Sequence, residues 1–109
     1  ANFGGGDEPL RPGMIVSNEP GYYKTGEYGI RIENLVLVEP REVAGAEKPM
    51  LGFRTLSHVP IDRELVAAEL LDAGERAWLD AYHAETLHRI GSMVEDETRA
   101  WLTVACAPL

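Results

Sequence analysis

The sequence predicts an α+β fold in which antiparallel strands come first and helices close the chain. Three observations carry this. Residues 14–59 hold short runs of β-branched and aromatic residues separated by glycine-bearing turns, residues 72–106 hold two apolar stripes at helical spacing, and Pro60 lies between the two kinds of pattern. With 109 residues, 45% of them hydrophobic, the chain is one domain at most, with material for a modest core.

Met14-Ile15-Val16 opens the first strand and leads into Ser17-Asn18-Glu19-Pro20-Gly21-Tyr22-Tyr23. Lys24-Thr25-Gly26-Glu27-Tyr28-Gly29 has turn chemistry, and residues 30–38 form a second run rich in Ile, Leu and Val. Paired antiparallel about Gly26, these runs set Glu19 opposite Glu33 and place Tyr23 and Arg31 on the same face as both. Ile30, Ile32, Val36 and Val38 then point the other way, as a core face should. Glu19 precedes a proline and fits a strand end, while Pro20-Gly21 offers a bulge that would shift the register by one.

Residues 40–49, bounded by prolines and containing Gly45, read as a connecting loop. Residues 50–59 read as a strand with Leu51, Phe53 and Thr55 on one face and Arg54, Leu56 and His58 on the other. After Pro60, Asp62 caps a short helix through Leu65. Asp72 with Glu75 marks the start of a longer helix, whose apolar stripe is Trp78, Leu79, Tyr82, Thr86 and Ile90, interrupted by Gly91. Ser92 with Glu95 makes a second capping-box pattern, opening a helix through Cys106 with Met93, Val94, Trp101, Val104 and Ala105 on one side.

Glu19 and Glu33 are the candidate functional residues, because each sits in a run where propensity alone would place something apolar. Two carboxylates brought together on a sheet repel, so one must be protonated or a cation must lie between them. That cation is either Arg31, which makes the pair part of a hairpin salt bridge, or a metal. Two carboxylates supply at most four oxygens, too few for two octahedral ions, so the chain by itself should bind metal weakly. His83 and His88 lie on different sides of one helix and do not form an i, i+4 ligand pair. His83 reads as a packed, hydrogen-bonded histidine, His88 as a solvated one, and Trp78 and Trp101 as core or interface anchors. The run Glu95-Asp96-Glu97 reads as a solvated helix start favoured by the macrodipole.

A net charge of -8 and a pI near 4.8 argue against nucleic acid as a partner, since phosphate binding needs clustered Lys and Arg. No apolar run approaches membrane-spanning length, and no signal peptide is visible. The single cysteine, Cys106, excludes an intrachain disulfide and fits a reducing cytoplasm, so the expected location is cytoplasmic.

The stretches from Gly13 to Tyr23 and from Tyr28 to Val36 closely resemble the end of the catalytic domain of Xaa-Pro aminopeptidases (aminopeptidase P), in the family of methionine aminopeptidase, prolidase and creatinase. The resemblance continues through Phe53-Arg54-Thr55-Leu56-Ser57-His58-Val59-Pro60-Ile61-Asp62 and Trp78-Leu79-Asp80-Ala81-Tyr82-His83 to Cys106-Ala107-Pro108-Leu109. It implies the C-terminal portion of a pita-bread fold, with residues 1–39 ending a metallopeptidase catalytic domain and residues 40–109 forming its C-terminal extension. It also implies two divalent ions in the intact enzyme, manganese first with zinc or cobalt as alternatives, held by two Asp, one His and two Glu.

By this resemblance Glu19 and Glu33 are metal ligands, Glu33 bridging both ions. Glu19, Tyr23 and Arg31 are the catalytic residues, Glu19 handling the proton of the attacking water while Tyr23 and Arg31 support substrate or water. The implied reaction removes an N-terminal residue that precedes proline, through a bridging hydroxide. The implied partners are a peptide with proline second, the rest of a parent enzyme and a second copy in a homo-oligomer. The family's two Asp ligands and its His precede the first Glu, whereas here only Asp7 and no His precede Glu19. Residues 1–7, with three consecutive glycines, therefore read as a loop or a cut end. The expectation is an incomplete, inactive C-terminal piece. The alternative is a structural and association module of a prolidase- or creatinase-like protein.

Overall fold

A computed structural model describes residues 6–109. The expected loop or cut end at residues 1–7 thus falls, for residues 1–5, outside the described residues. The chain divides into two compact units, Ala1–Ser57 and His58–Leu109.

The first unit holds five strands, β1 Ile15–Asn18, β2 Gly21–Lys24, β3 Tyr28–Arg31, β4 Asn34–Arg41 and β5 Met50–Thr55. They form a three-stranded sheet in the order β1-β4-β5 and a two-stranded ribbon β2-β3, all antiparallel. The turn between β2 and β3 is closed by the Glu27 amide donating to the Lys24 carbonyl at 3.0 Å, with Gly26 at φ +74°, a left-handed conformation that glycine adopts without steric cost. Pairing runs from Lys24↔Tyr28 to Gly21↔Arg31 in the ribbon and resumes as Asn18↔Asn34 to Ile15↔Leu37 in the sheet.

Between these two stretches each strand contributes the same number of residues, Glu19 and Pro20 on one side and Ile32 and Glu33 on the other. The register shift offered by Pro20-Gly21 does not occur. The ladder is interrupted because Pro20 has no amide to donate, yet its carbonyl still accepts from the Ile32 amide at 3.1 Å, which holds the strands in phase.

β4 runs on to Arg41, because Pro40 and Arg41 pair with Leu51 and Met50. The loop expected over residues 40–49 therefore begins two residues later, and it turns at Gly45, φ +78°. Val36 and Val38 are buried, as the alternation predicted, and Val38 is only 1% exposed. Ile30 and Ile32 belong to the same alternation but are exposed, because Ile30 lies on the ribbon and Ile32 in the interruption before β4, both outside the three-stranded sheet.

In the second unit Asp62 caps a short 3-10 turn, Arg63–Leu65, by accepting from the Glu64 amide. Helix α1 spans Ala73–Ile90 and opens on the expected capping box. The Asp72 carboxylate accepts from the Glu75 amide at 2.8 Å while the Glu75 carboxylate accepts from the Asp72 amide at 3.0 Å. Its buried stripe is Leu79, Tyr82, His83 and Thr86, while Trp78 lies exposed and stacked on Tyr82 with ring centroids 5.5 Å apart.

Tyr82 and His83 grip the incoming segment side by side. The Tyr82 hydroxyl donates to the Val59 carbonyl at 2.7 Å and accepts from the Val59 amide, and His83 Nε2 accepts from the Ile61 amide at 3.0 Å.

Helix α2 spans Asp96–Ala105 and does not start at Ser92. Gly91 keeps right-handed helical dihedrals, so the chain leaves α1 through a 3-10 turn, Gly91–Met93, and becomes extended only at Val94 and Glu95. Glu95 is the N-cap without a side-chain cap, and the turn is instead held by Arg99, whose guanidinium donates to the Gly91 and Val94 carbonyls. The inward side of α2 carries Leu102 and then Cys106, whereas Trp101, Val104 and Met93 face outward. Burial pushes the Cys106 thiol up from its ordinary value, which disfavours the reactive thiolate. At the far end Arg63 donates to the Val104 carbonyl and to the Pro108 carbonyl, each at 3.1 Å, and the Leu109 amide donates to Asp80 at 2.9 Å.

His83 is completely buried, and its pKa is lowered from 6.5, first by desolvation and then by the nearby Arg63 charge. Protonating Nε2 would also break the bond from the Ile61 amide. The unfolded chain therefore takes up this proton at a higher pH than the folded one. Stability linked to His83 is intact above pH 6.5 and is lost as pH falls from there towards the depressed folded value. Urea midpoints measured between pH 7 and 5 are expected to drop for the native chain and to stay level for His83→Gln, whose amide oxygen can still accept from Ile61. A parallel drop in both would show that the sensitivity lies elsewhere.

Candidate metal centre

The two glutamates stand at the interruption of the ribbon, Glu19 between β1 and β2 and Glu33 between β3 and β4. Continuity of the register on both sides sets them opposite each other, and directly paired residues of an antiparallel ladder share a face. Gly21 with Arg31, and Tyr23 with Gly29, are the next pairs on that face. Glu19, Tyr23, Arg31 and Glu33 are thus brought together on one exposed surface, as the pairing about Gly26 predicted.

Arg31 is the hub. Its Nε lies 3.3 Å from a Glu33 carboxylate oxygen. Its pKa is raised above the ordinary value, first by hydrogen bonding with Tyr23 and by that phenol where it ionises at high pH, then by the charges of Glu33 and Glu19. A cation does lie among the carboxylates, so the geometry contains the salt bridge that the sequence left as one alternative. On an exposed surface such a pair contributes little to stability, so stability alone is a weak reason for it. It turns one Glu33 oxygen towards the guanidinium.

Carboxylate oxygens are the donors that hard divalent ions prefer, so Glu19 and Glu33 fit such ions as partial ligands. Among the described residues no group of three or more His, Cys, Asp or Glu could hold a metal ion. Within the helical unit, the buried His83 already uses Nε2 to accept from Ile61. A cavity of about 620 Å³ lies at the β4–β5 connection, lined in part by Arg41, Lys48 and Met50, and none of the four candidate residues lines it.

Sequence reasoning missed the role of two glycines beneath this surface. A Cβ placed on Gly29 would stand 2.8 Å from Tyr23 Cδ1, and one on Gly21 would stand 2.7 Å from the Tyr23 hydroxyl oxygen. The tyrosine ring lies close against both, one edge at Gly29 and its hydroxyl end at Gly21. The signal was available in the pairing itself, which sets a glycine directly opposite Tyr23.

Among the described residues no helix is long and apolar enough to cross a membrane. The chain is 46% identical over 105 residues to a probable Xaa-Pro aminopeptidase P of Laccaria bicolor, a match that covers 93% of this chain and 16% of that protein. It is 40% identical over 104 residues to a probable Xaa-Pro aminopeptidase P of Tuber melanosporum, covering 92% of this chain and 17% of that protein. The chain therefore spans about one sixth of the length of the curated relatives it matches. The crystal structure of an X-prolyl aminopeptidase from Caenorhabditis elegans, described as a cytosolic enzyme with a di-nuclear active site, superposes with a TM-score of 0.80 at 34% identity. That match covers 92% of this chain and 17% of the nematode one. Residues 1–40 match metallopeptidase family M24 and residues 49–109 match the C-terminal region of peptidase M24, and the chain belongs to this family.

Proposed function

We propose that this chain supplies two metal ligands, Glu19 and Glu33, and three catalytic residues, Glu19, Tyr23 and Arg31, to a dinuclear aminopeptidase that removes an N-terminal residue preceding proline. The observation that carries this is the pairing that sets the two carboxylates opposite each other with Arg31 joined to Glu33 and Tyr23, in a chain whose relatives are probable Xaa-Pro aminopeptidases. In this reading residues 1–39 end the catalytic domain of a pita-bread fold and residues 40–109 extend it. Manganese is the preferred ion pair, the protein acts in the cytoplasm like its nematode relative, and further ligands come from outside the described residues.

Two divalent ions at such a site would lower the pKa of a water and polarise the scissile carbonyl. The rest falls to the chain. Glu19 accepts the proton released by the attacking water. Arg31 holds Glu33 in one orientation, so that its oxygens need no reorganisation when charge develops nearby. The Tyr23 hydroxyl lies on the same face, beside Arg31, where it can donate to a peptide carbonyl.

The test uses the protein that carries this sequence at the full length of its relatives, assayed on peptides with and without proline second. Hydrolysis confined to the Xaa-Pro peptide, with two metal ions per active site, is expected. Equal hydrolysis of both peptides would overturn the specificity, and a metal-free active protein would overturn the mechanism. The 109-residue chain by itself is expected to bind Mn²⁺ weakly in titration calorimetry.

A second reading is favoured by one further observation. Trp78, Met93, Trp101 and Val104 are exposed on the helices, with Trp101 62% accessible. Large aromatic and thioether groups left outward on a helical unit suit burial against a second copy, so the helical unit would also serve association into a homo-oligomer. Sedimentation showing only monomer, for the native chain and for Trp101→Ala alike, would remove that reading.

A further inference from the structure

The glycines under Tyr23 call for an explanation that backbone conformation does not supply. Gly13, Gly26 and Gly45 have positive φ, which accounts for glycine there, but Gly21 and Gly29 do not. Both lie in strands, where glycine weakens the ladder relative to almost any other residue. What distinguishes them is space.

At Gly29 the three nearest atoms to an added Cβ are all Tyr23 ring carbons, at 2.8, 3.3 and 3.9 Å. At Gly21 the nearest are the Tyr23 hydroxyl oxygen at 2.7 Å and Cζ at 2.9 Å, followed by the Ile30 carbonyl at 3.0 Å. The ring thus starts over Gly29, its direct partner across the ribbon, and ends with its hydroxyl over Gly21. Gly21 is in turn the direct partner of Arg31, so the hydroxyl is delivered to the place where the guanidinium of the opposite strand arrives.

We infer that Gly21 and Gly29 are positioning residues of the carboxylate site: by leaving the ladder bare they let Tyr23 pack close against the two strands, and the hydroxyl so placed orients Arg31 against Glu33. A methyl group at either position lifts the ring, removes the hydroxyl from Arg31 and frees the guanidinium to turn away from Glu33. The glycines act through the tyrosine, so their substitution has no effect of its own once the ring is gone. The consequence for turnover rests on the function proposed above, whereas the arrangement itself does not.

Gly29→Ala is the cleaner probe, because its close contacts are with the ring alone. In the 109-residue chain, the Gly29 Hα resonances are expected to be displaced by the ring current relative to Tyr23→Ala, and the Arg31 Nε–H resonance to differ from that of Tyr23→Phe, which keeps the ring and lacks the hydroxyl. Gly29→Ala should move the Arg31 resonance to its Tyr23→Phe position. In the Tyr23→Ala background, Gly29→Ala should leave it unmoved, the non-additivity that marks two residues acting as one.

An Arg31 resonance unchanged by Gly29→Ala, or changed equally in both backgrounds, would overturn the inference. In the full-length enzyme Gly29→Ala and Tyr23→Phe should each lower kcat by about tenfold, with metal content unchanged. If the resonances behave as expected and the full-length protein cleaves no Xaa-Pro peptide, the arrangement is supported and the proposed function is the part that fails. Should a substituted chain not fold, Gly21→Ala at the hydroxyl end is read in the same way.

Discussion

Glu33→Gln is expected to lower metal occupancy and turnover together, by roughly a hundredfold or more, in the protein at the full length of its relatives. Glutamine keeps the size and one acceptor oxygen of glutamate but removes the negative charge, and a neutral amide is a poor ligand where two cations would share one side chain. The local fold should survive, because Glu33 is exposed and lies outside the paired segments. Arg31→Lys is the informative companion. It keeps the charge beside Glu33 but loses the planar fork that reaches Glu33 and Tyr23 at once, so turnover should fall while most of the metal stays bound. Metal content by elemental analysis, read beside kcat on an Xaa-Pro peptide, separates these outcomes. Two retained ions and near-normal turnover in Glu33→Gln, with only thermal stability reduced, would make Glu33 a salt-bridge partner and nothing more.

Leu102→Ala is expected to destabilise the helical unit by about 2–4 kcal/mol, whereas Trp101→Ala, one residue earlier, should cost less than about 1 kcal/mol. The contrast follows from burial. Leu102 is 4% exposed and Trp101 is 62% exposed, so truncating the smaller residue opens a cavity and truncating the larger one mainly uncovers solvated surface. Urea denaturation of the two variants decides it. A larger loss for Trp101→Ala would mean that α2 buries the opposite side, the one the apolar spacing of Met93, Trp101 and Val104 suggested.

That contrast also shows where the sequence was readable. The register of the ribbon could be found by counting, because a turn centred on Gly26 leaves one antiparallel pairing that sends Val36 and Val38 to the core together. The start of α1 could be found because Asp72 and Glu75 satisfy each other's amides locally. The start of α2 could not, since the group that holds its entry, Arg99, reaches back to Gly91 across eight residues, and an arginine at that position looks like any solvated charge. Hydrophobicity misled for α2 and for Ile30 and Ile32 in the same way. It records what a side chain would gain by burial, not whether this stretch of chain provides the cover.

At the site itself, Glu19, Tyr23, Arg31 and Glu33 were placed on one face by alternation alone. The glycine floor was not, because an empty position carries no sign of what lies over it.

The ties that Arg63 and Asp80 make to Pro108 and Leu109 give the helical unit the topology of a clasped strap. A short segment beyond the last helix of a unit ordinarily peels away first, residue by residue, and exchanges its amides without disturbing anything else. Here the last residues are held from two distant points, one just after the unit begins and one in the first half of α1. Peeling them back also uncovers the carbonyl end of α2, so loss of the tail and loosening of the helix become a single event. The amide of Leu109 therefore reports on the opening of the clasp as a whole, and any pull on residues 108–109 acts on the same fastening that keeps α2 closed.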